Sequence, residues 1–308
     1  MQLGLLMVVK NEAENLRELL QEIQHTVSEI KIVDTGSTDG TATVLREEFG
    51  IDPIEYEAPA GEPLDLLVPR NTALAKMRSE WVLTLDADER ISKKAMETLG
   101  TSVPRGDVSG LFFRWLDHRY GIPFEDYKLF AFRNRRNISF TGKVHEVPQM
   151  SIRANGQRAE FLPHVSVDHF PDASKTEHRD GYLEQMASGI DEDEAWYRHH
   201  WFLGYTHYKR FGNTGEAVKH LQTVAFSRSE KFPVESLNAA MVLSEILAKD
   251  GDGRWCRKLV DQALAFYDGV RDDFEVRMNH RLLPWFLQAR ACSRRGDHGM
   301  LRAYEFAF

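Results

Sequence analysis

The chain has 308 residues, 42% hydrophobic and 11% aromatic, which is enough to bury a sizeable core and to divide into about two domains. A net charge of -8 excludes a broad nucleic-acid surface, and two cysteines, Cys256 and Cys292, exclude a disulfide framework or a cysteine zinc site. No apolar run reaches about 20 residues and the opening MQLGLLMVVKNE is too short for a signal peptide, so no transmembrane segment is expected and the cytoplasm is the expected setting.

Leu3–Val9 is a continuous apolar run, the pattern of a parallel strand covered on both faces. Residues 11–26 carry Leu16, Leu19, Leu20 and Ile23 at helical spacing. A strand is expected at 30–33, a helix at 38–48, a short strand at 54–56, a loop at 57–63, a helix at 71–78 and a strand at 81–85. Such alternation predicts an open, mostly parallel α/β sheet, with ligands beyond the carboxyl ends of the strands. From Gly110 the stretches GLFFRWLDHRYG and KLFAFR predict antiparallel strands, and PHVSVDHF predicts one more, so the sheet becomes mixed. The expected domains are 1–172 and 173–308.

The second domain is expected to be all-helical. Three sets of apolar residues each precede a turn glycine: Trp201 and Tyr208 before Gly212, Leu243 and Leu247 before Gly251, and Trp285, Ala289 and Cys292 before Gly296. A second amphipathic helix is expected after each glycine. The glycines lie 39 and 45 residues apart. This resembles tetratricopeptide helix pairs with a spacing longer than 34 residues; a plain helical bundle is the other reading.

Two strand ends carry the chemistry. In VDTGSTDGT, Asp34 ends a buried strand and is aimed at the crevice, where a carboxylate accepts hydrogen bonds from a base or ribose. Gly36 permits a turn, Ser37 or Thr38 is the expected helix cap, and Asp39 suits the first helical turn. Taken alone, this is a turn and a cap. In VLTLDADER, Asp86 and Asp88 are two residues apart after a buried strand and point the same way in extended chain. Paired carboxylates repel a phosphate unless a hard cation, Mg²⁺ or Mn²⁺, lies between them; a solvated turn is the other reading.

MVVKNEAENL, IKIVDTGSTDGT, RNTAL and WVLTLDADE stand in that order over residues 1–170. Together they resemble an inverting family 2 glycosyltransferase of the GT-A fold. The similarity is to a bacterial subgroup with VDTGSTD, LDADE and VHE signatures and tetratricopeptide-like helices at the C-terminus. The resemblance implies a Rossmann-like GT-A domain followed by an all-α helical-repeat region. It implies that Val9, Lys10, Asn11 and Glu12 line a nucleotide pocket and that Asp34 reads the base, usually uracil. Arg70 and Asn71 would sit near the base and diphosphate, Asp86 on ribose or metal, and Asp88 as the main metal ligand.

An inverting transfer needs a general base on the acceptor. In FTGKVHEVP the family position favours Glu146, with His145 beside it; the rival reading makes Glu146 a structural partner of an arginine. Trp115, Asp117, His118, Arg119 and Tyr120 are candidates for a sugar or acceptor pocket, or for an ordinary strand face. The cluster RNRRN, residues 133–137, suits an anion or a solvated loop. His169 either completes the metal site or is a structural histidine.

The expected activity is therefore metal-dependent transfer of a hexose or N-acetylhexosamine from a UDP-sugar. The acceptor would be a hydroxyl or thiol on a saccharide, lipid-linked glycan or peptide, with self-association through the helical region. Two rivals stand beside it. One is a non-catalytic helical-repeat adaptor with a relic nucleotide domain. The other is a nucleotidyltransferase, disfavoured because VVKNEAEN lacks a glycine-rich activating loop.

Overall fold

The computed structural model describes residues 1–57, 65–101, 106–119, 124–142, 146–171, 179–193, 196–297 and 301–304. Residues Met1–Gly181 form one compact unit and Tyr182–Phe306 a second.

The first unit begins with β1 (Leu3–Val9), α1 (Ala13–Ile23), β2 (Glu29–Asp34), α2 (Thr41–Phe49), β3 (Ile54–Glu55), α3 (Leu67–Lys76) and β4 (Trp81–Thr84). It continues with β5 (Glu89–Arg90), α4 (Lys93–Thr101), β6 (Val108–Asp117), β7 (Phe124–Arg133), α5 (Gln149–Ala154) and β8 (Arg158–His169). Leu5, Met7, Trp81 and Leu83 are almost wholly buried, and Leu16, Leu19, Leu20 and Ile23 of α1 pack into the same core. The amphipathic spacing of α1 thus covers the apolar run of β1, as expected.

The sheet order is β3-β2-β1-β4-β7-β6-β8-β5. The first four in that list are parallel; β7 is antiparallel to β4 and β6. The expected antiparallel addition of PHVSVDHF is corrected here: β8 runs parallel to β6 and antiparallel only to β5. β7 ends and β8 begins at the same end of β6, so the reversal made by β7 leaves β8 parallel to β6; helix α5, which lies in that connection, was missed by sequence reading. Sequence reading also missed α4, and β5, a two-residue strand with no measurable periodicity.

The placement of β5 shapes the site. Flat, β4 and β5 would be about 19 Å apart across four strand spacings. Only residues 85–88 join them, and these form a tight turn in which Glu89 N donates to Asp86 O at 3.0 Å. The chain therefore draws the far edge of the sheet around the carboxyl end of β4.

The second unit is helical, with α6 (Arg179–Glu192), α7 (Tyr197–Lys209), α8 (Thr214–Ser227), α9 (Pro233–Lys249), α10 (Gly253–Val270), α11 (Phe274–Met278) and α12 (Leu282–Arg295). From α7 onward α8 packs on α7, α9 on α8, α10 on α9 and α12 on α10. Gly212, Gly251 and Gly296, the three turn glycines, all have positive φ and follow α7, α9 and α12. Gly204 serves close approach instead. A Cβ there would lie 2.8 Å from Leu221 Cγ, so only glycine lets α7 and α8 pack this tightly. The helix expected after Gly296 is not seen in 301–304, which are irregular and anchored by Leu301, buried in the core.

Candidate active site

The site is built at the carboxyl ends of β1, β2 and β4. β1 and β2 run in parallel register with Val9 beside Asp34, and the loops that leave them are stitched together. Asn11 N donates to Ser37 Oγ at 2.8 Å, Thr38 N to Asn11 Oδ1 at 2.7 Å, Glu12 N to Thr41 Oγ1 at 2.9 Å and Ala13 N to Asp39 Oδ2 at 3.2 Å. Asn11 holds φ 56 to make these contacts; asparagine is among the few residues that tolerate that region. Asp34 Oδ1 accepts from Gly36 N and Ser37 N at 3.1 and 2.8 Å, with Gly36 at φ 91.

The expected cap is corrected: Ser37 and Thr38 bind the other loop, and α2 starts after Gly40 with no side-chain cap. Asp39 instead accepts from Thr41 N at 3.0 Å as well as from Ala13 N. Burial opposes its ionisation, and these hydrogen bonds hold its carboxyl below the ordinary range.

Asp86 and Asp88 have separate partners. Asp86 Oδ1 accepts from Arg70 Nη2 at 3.2 Å, and Oδ2 from Lys128 Nζ at 2.9 Å. Desolvation works against its charge, but Lys128 and Arg70 outweigh it and keep the carboxyl well below its usual range. Lys128 also donates to Glu89 Oε1 at 2.7 Å. Glu89 is fully buried and accepts further from Trp115 Nε1 at 3.0 Å and Asp86 N at 2.8 Å. Glu89 thus ties the turn after β4 to β6 and β7.

Arg70, on α3, reaches two carboxylates. Its Nε lies 3.6 Å from Glu146 Oε2 and is buried with no hydrogen-bond partner among the described residues. The Glu146 side chain is only 7% exposed. Burial pushes its carboxyl up to about 7, against the pull of Arg70. Asn71 holds the neighbouring segment: Nδ2 donates to Phe140 O at 3.1 Å, and Phe140 N donates to Asn71 Oδ1 at 3.0 Å. His145 and Tyr120 lie outside the described residues.

Asp88 Oδ2 lies 3.3 Å from His169 Nε2, at the end of β8. Burial disfavours the charged ring, yet Asp88, Glu89 and Asp117 raise the His169 pKa above its ordinary value. Among the described residues no group of three or more His, Cys, Asp or Glu is poised to hold a metal ion. The Asp88–His169 pair would offer one carboxylate and one nitrogen to a cation that fills its remaining positions with ligand oxygens. In this arrangement Asp86 is engaged by two cations, and Asp88 faces a histidine.

The structure thus brings Arg70, Asp86, Asp88, Glu146 and His169 around one strand end, and Val9, Lys10, Asn11, Glu12 and Asp34 around the adjoining pair. Arg133, first of the RNRRN cluster, is elsewhere: it pairs with Glu80 and stacks on Trp81, at the opposite end of β4. His118 takes Asp168 at 2.6 Å and stacks on Phe170. Sequence reading missed Lys128 and Glu89. The only available signal was a lysine at the head of the short apolar run LFAF, residues 129–132.

Residues 5–156 match the family Glycosyl transferase family 2. A TPR repeat-containing protein of Synechococcus elongatus is 27% identical over 65% of this chain and 49% of its own length. The SPbeta prophage-derived glycosyltransferase SunS of Bacillus subtilis is 26% identical over 46% of this chain and 33% of its own. The chain therefore spans about half or less of these curated relatives. The crystal structure of S. aureus TarS 1-349 covers 97% of this chain and 89% of its own at 15% identity, with a TM-score of 0.46.

Proposed function

We propose, on the premise of a glycosyl transferase family 2 domain over residues 5–156, that this chain is an inverting glycosyltransferase using a UDP-sugar and a divalent cation. The observation that carries the reading is the buried Glu146 carboxyl beside Arg70, whose guanidinium also holds Asp86. It links an acid poised near neutrality to the carboxylates at the end of β4.

In this reading the acceptor hydroxyl or thiol attacks the anomeric carbon as the bond from that carbon to the diphosphate breaks. The acceptor proton passes to Glu146, whose raised pKa suits a base at neutral pH. The stitched loops after β1 and β2 hold the nucleotide, with Val9, Lys10, Asn11 and Glu12 lining its pocket and Asp34 meeting the base. Arg70 and Lys128 keep Asp86 anionic for the ribose, and Asn71 fixes the segment that leads to Glu146. Asp88 and His169 would hold Mg²⁺ or Mn²⁺, which supplies positive charge to the leaving diphosphate. The helical unit, with tetratricopeptide-like pairs, would present a saccharide, lipid-linked or peptide acceptor, or pair with a second copy.

The test is calorimetric titration of UDP, with and without Mn²⁺, into wild type and Asp88→Ala. Wild-type affinity should depend on Mn²⁺ and the variant should lose that dependence. UDP binding to neither protein, with GDP, CDP and TDP equally inert, would overturn the donor assignment.

A further inference from the structure

Three strands pass one row of side chains by His169. β8 pairs with β6 and β5 so that Asp117 and Glu89 are both direct register neighbours of His169. Residues paired across strands share a face of the sheet. Glu89 is saturated by Trp115, Lys128 and the Asp86 backbone.

Asp117 is only 5% exposed. Its Oδ2 lies 3.3 Å from Arg119 Nη2, and its Oδ1 accepts from Arg119 N at 3.0 Å. The same Oδ1 lies 3.6 Å from His169 Nδ1. That nitrogen is buried and has no hydrogen-bond partner among the described residues. A buried polar N–H is costly to leave unpaired, and among the described residues the carboxylate that faces Nδ1 is that of Asp117. At 3.6 Å the pair lies just outside hydrogen-bond range, and a rotation of the ring would be needed to close it. On the other side Nε2 faces Asp88 Oδ2, and the Trp115 ring covers the imidazole at 4.8 Å. The imidazole is thus confined on one face with a carboxylate at each nitrogen.

We propose that Asp117 is a positioning residue for His169: its carboxylate accepts the Nδ1 proton and so turns the Nε2 lone pair toward Asp88, as the second protein donor to a divalent cation. Histidines that bind metals commonly need such an outer carboxylate, which sets the tautomer and the ring orientation. Arg119 holds Asp117 from its other side and keeps it from turning away. The inference rests on the cation reading made above, and it explains why a buried acid stands where the sequence suggested a sugar contact.

The experiment uses the full chain as wild type, Asp117→Ala, Asp117→Asn and Asp88→Ala. Mn²⁺ binding, alone and with UDP, is followed by the electron paramagnetic resonance of free Mn²⁺. The His169 tautomer is read from long-range proton–nitrogen-15 spectra of metal-free protein at about pH 9, above the ordinary histidine range. Wild-type His169 should carry its proton on Nδ1. Asp117→Ala should mix the tautomers and weaken Mn²⁺ binding roughly 10- to 100-fold; Asn, a neutral acceptor, should restore part of both. A wild-type proton on Nε2, or an Ala variant with unchanged tautomer and affinity, overturns the proposal. If Asp117→Ala does not fold, Asp117→Asn with unaltered tautomer and affinity overturns it equally. If the tautomer follows Asp117 but no protein binds Mn²⁺, the cation reading falls and takes the metal half of this proposal with it. If Mn²⁺ needs Asp88 but ignores Asp117, the cation reading stands and positioning alone falls.

Discussion

Glu146 opposes folding whenever it ionises. Its folded pKa of about 7 lies above the ordinary carboxyl value, so its contribution to stability is complete at low pH and is lost as pH rises from about 4.5 through 7. The side chain is 7% exposed, so the cost is roughly 2–3 kcal/mol at pH 8. Glu146→Gln should therefore raise the melting temperature at pH 8 and leave it nearly unchanged at pH 4.5. The same variant should lose about 10²- to 10⁴-fold in transfer rate while UDP affinity is kept. Wild-type transfer should rise with pH through about 7 as the base deprotonates. Equal melting shifts at both pH values would show that Glu146 is not strained by its charge. Asp86 and Asp88 make the complementary point. They have the same side chain two positions apart, yet Asp86 faces two cations and Asp88 a histidine.

Helices α7 and α8 carry a histidine cluster around the Gly204 contact. His200 Nδ1 and His220 Nδ1 are 2.9 Å apart, and the His207 ring stacks parallel to His220. One nitrogen must donate and the other accept, so the pair fits neutral rings. Burial lowers both pKa values; His220, with His200 and His207 adding to desolvation and Glu216 opposing, falls to about 4. A folded pKa below the unfolded value leaves stability intact above about 6.5 and removes it as pH falls toward 4. Both rings are partly exposed, so screening limits the loss to roughly 1–2 kcal/mol. Thermal melts should show the helical unit weakening from pH 6.5 to 4.5, with a flatter profile in His220→Gln. A profile identical in the two proteins would remove the cluster as the cause.

The division between Gly181 and Tyr182 separates every residue assigned to the donor site from the helical unit. The first unit has its own core of β1, β4 and α1 side chains, the condition for folding alone. A fragment of residues 1–181 should therefore bind UDP with Mn²⁺ within about threefold of the full chain by calorimetry. Transfer to the acceptor should fall much further, if the helices present it. Loss of UDP binding together with a loss of cooperative melting would show that the first unit depends on the second.

The helices and strands of the donor half were legible because their signals are local. A doubly covered strand is apolar along its length, a surface helix repeats at 3.6 residues, and a ligand carboxylate after such a strand stands out. This suffices for β1, α1, β4 and the pair Asp86 and Asp88, and for the turn glycines 212, 251 and 296. What the sequence by itself determined is an α/β half with acids at its strand ends and a helical half broken at glycines. Only the tertiary structure decided which acid meets which base. Lys128 meets Asp86, Glu89 joins β5 to β6 and β7, and Asp117 and Asp88 flank His169, across sequence separations that no periodicity encodes. Those pairings follow from strand order and from the curl imposed by the short link between β4 and β5. Long-range register is set by the burial of whole sheet faces rather than by any one segment.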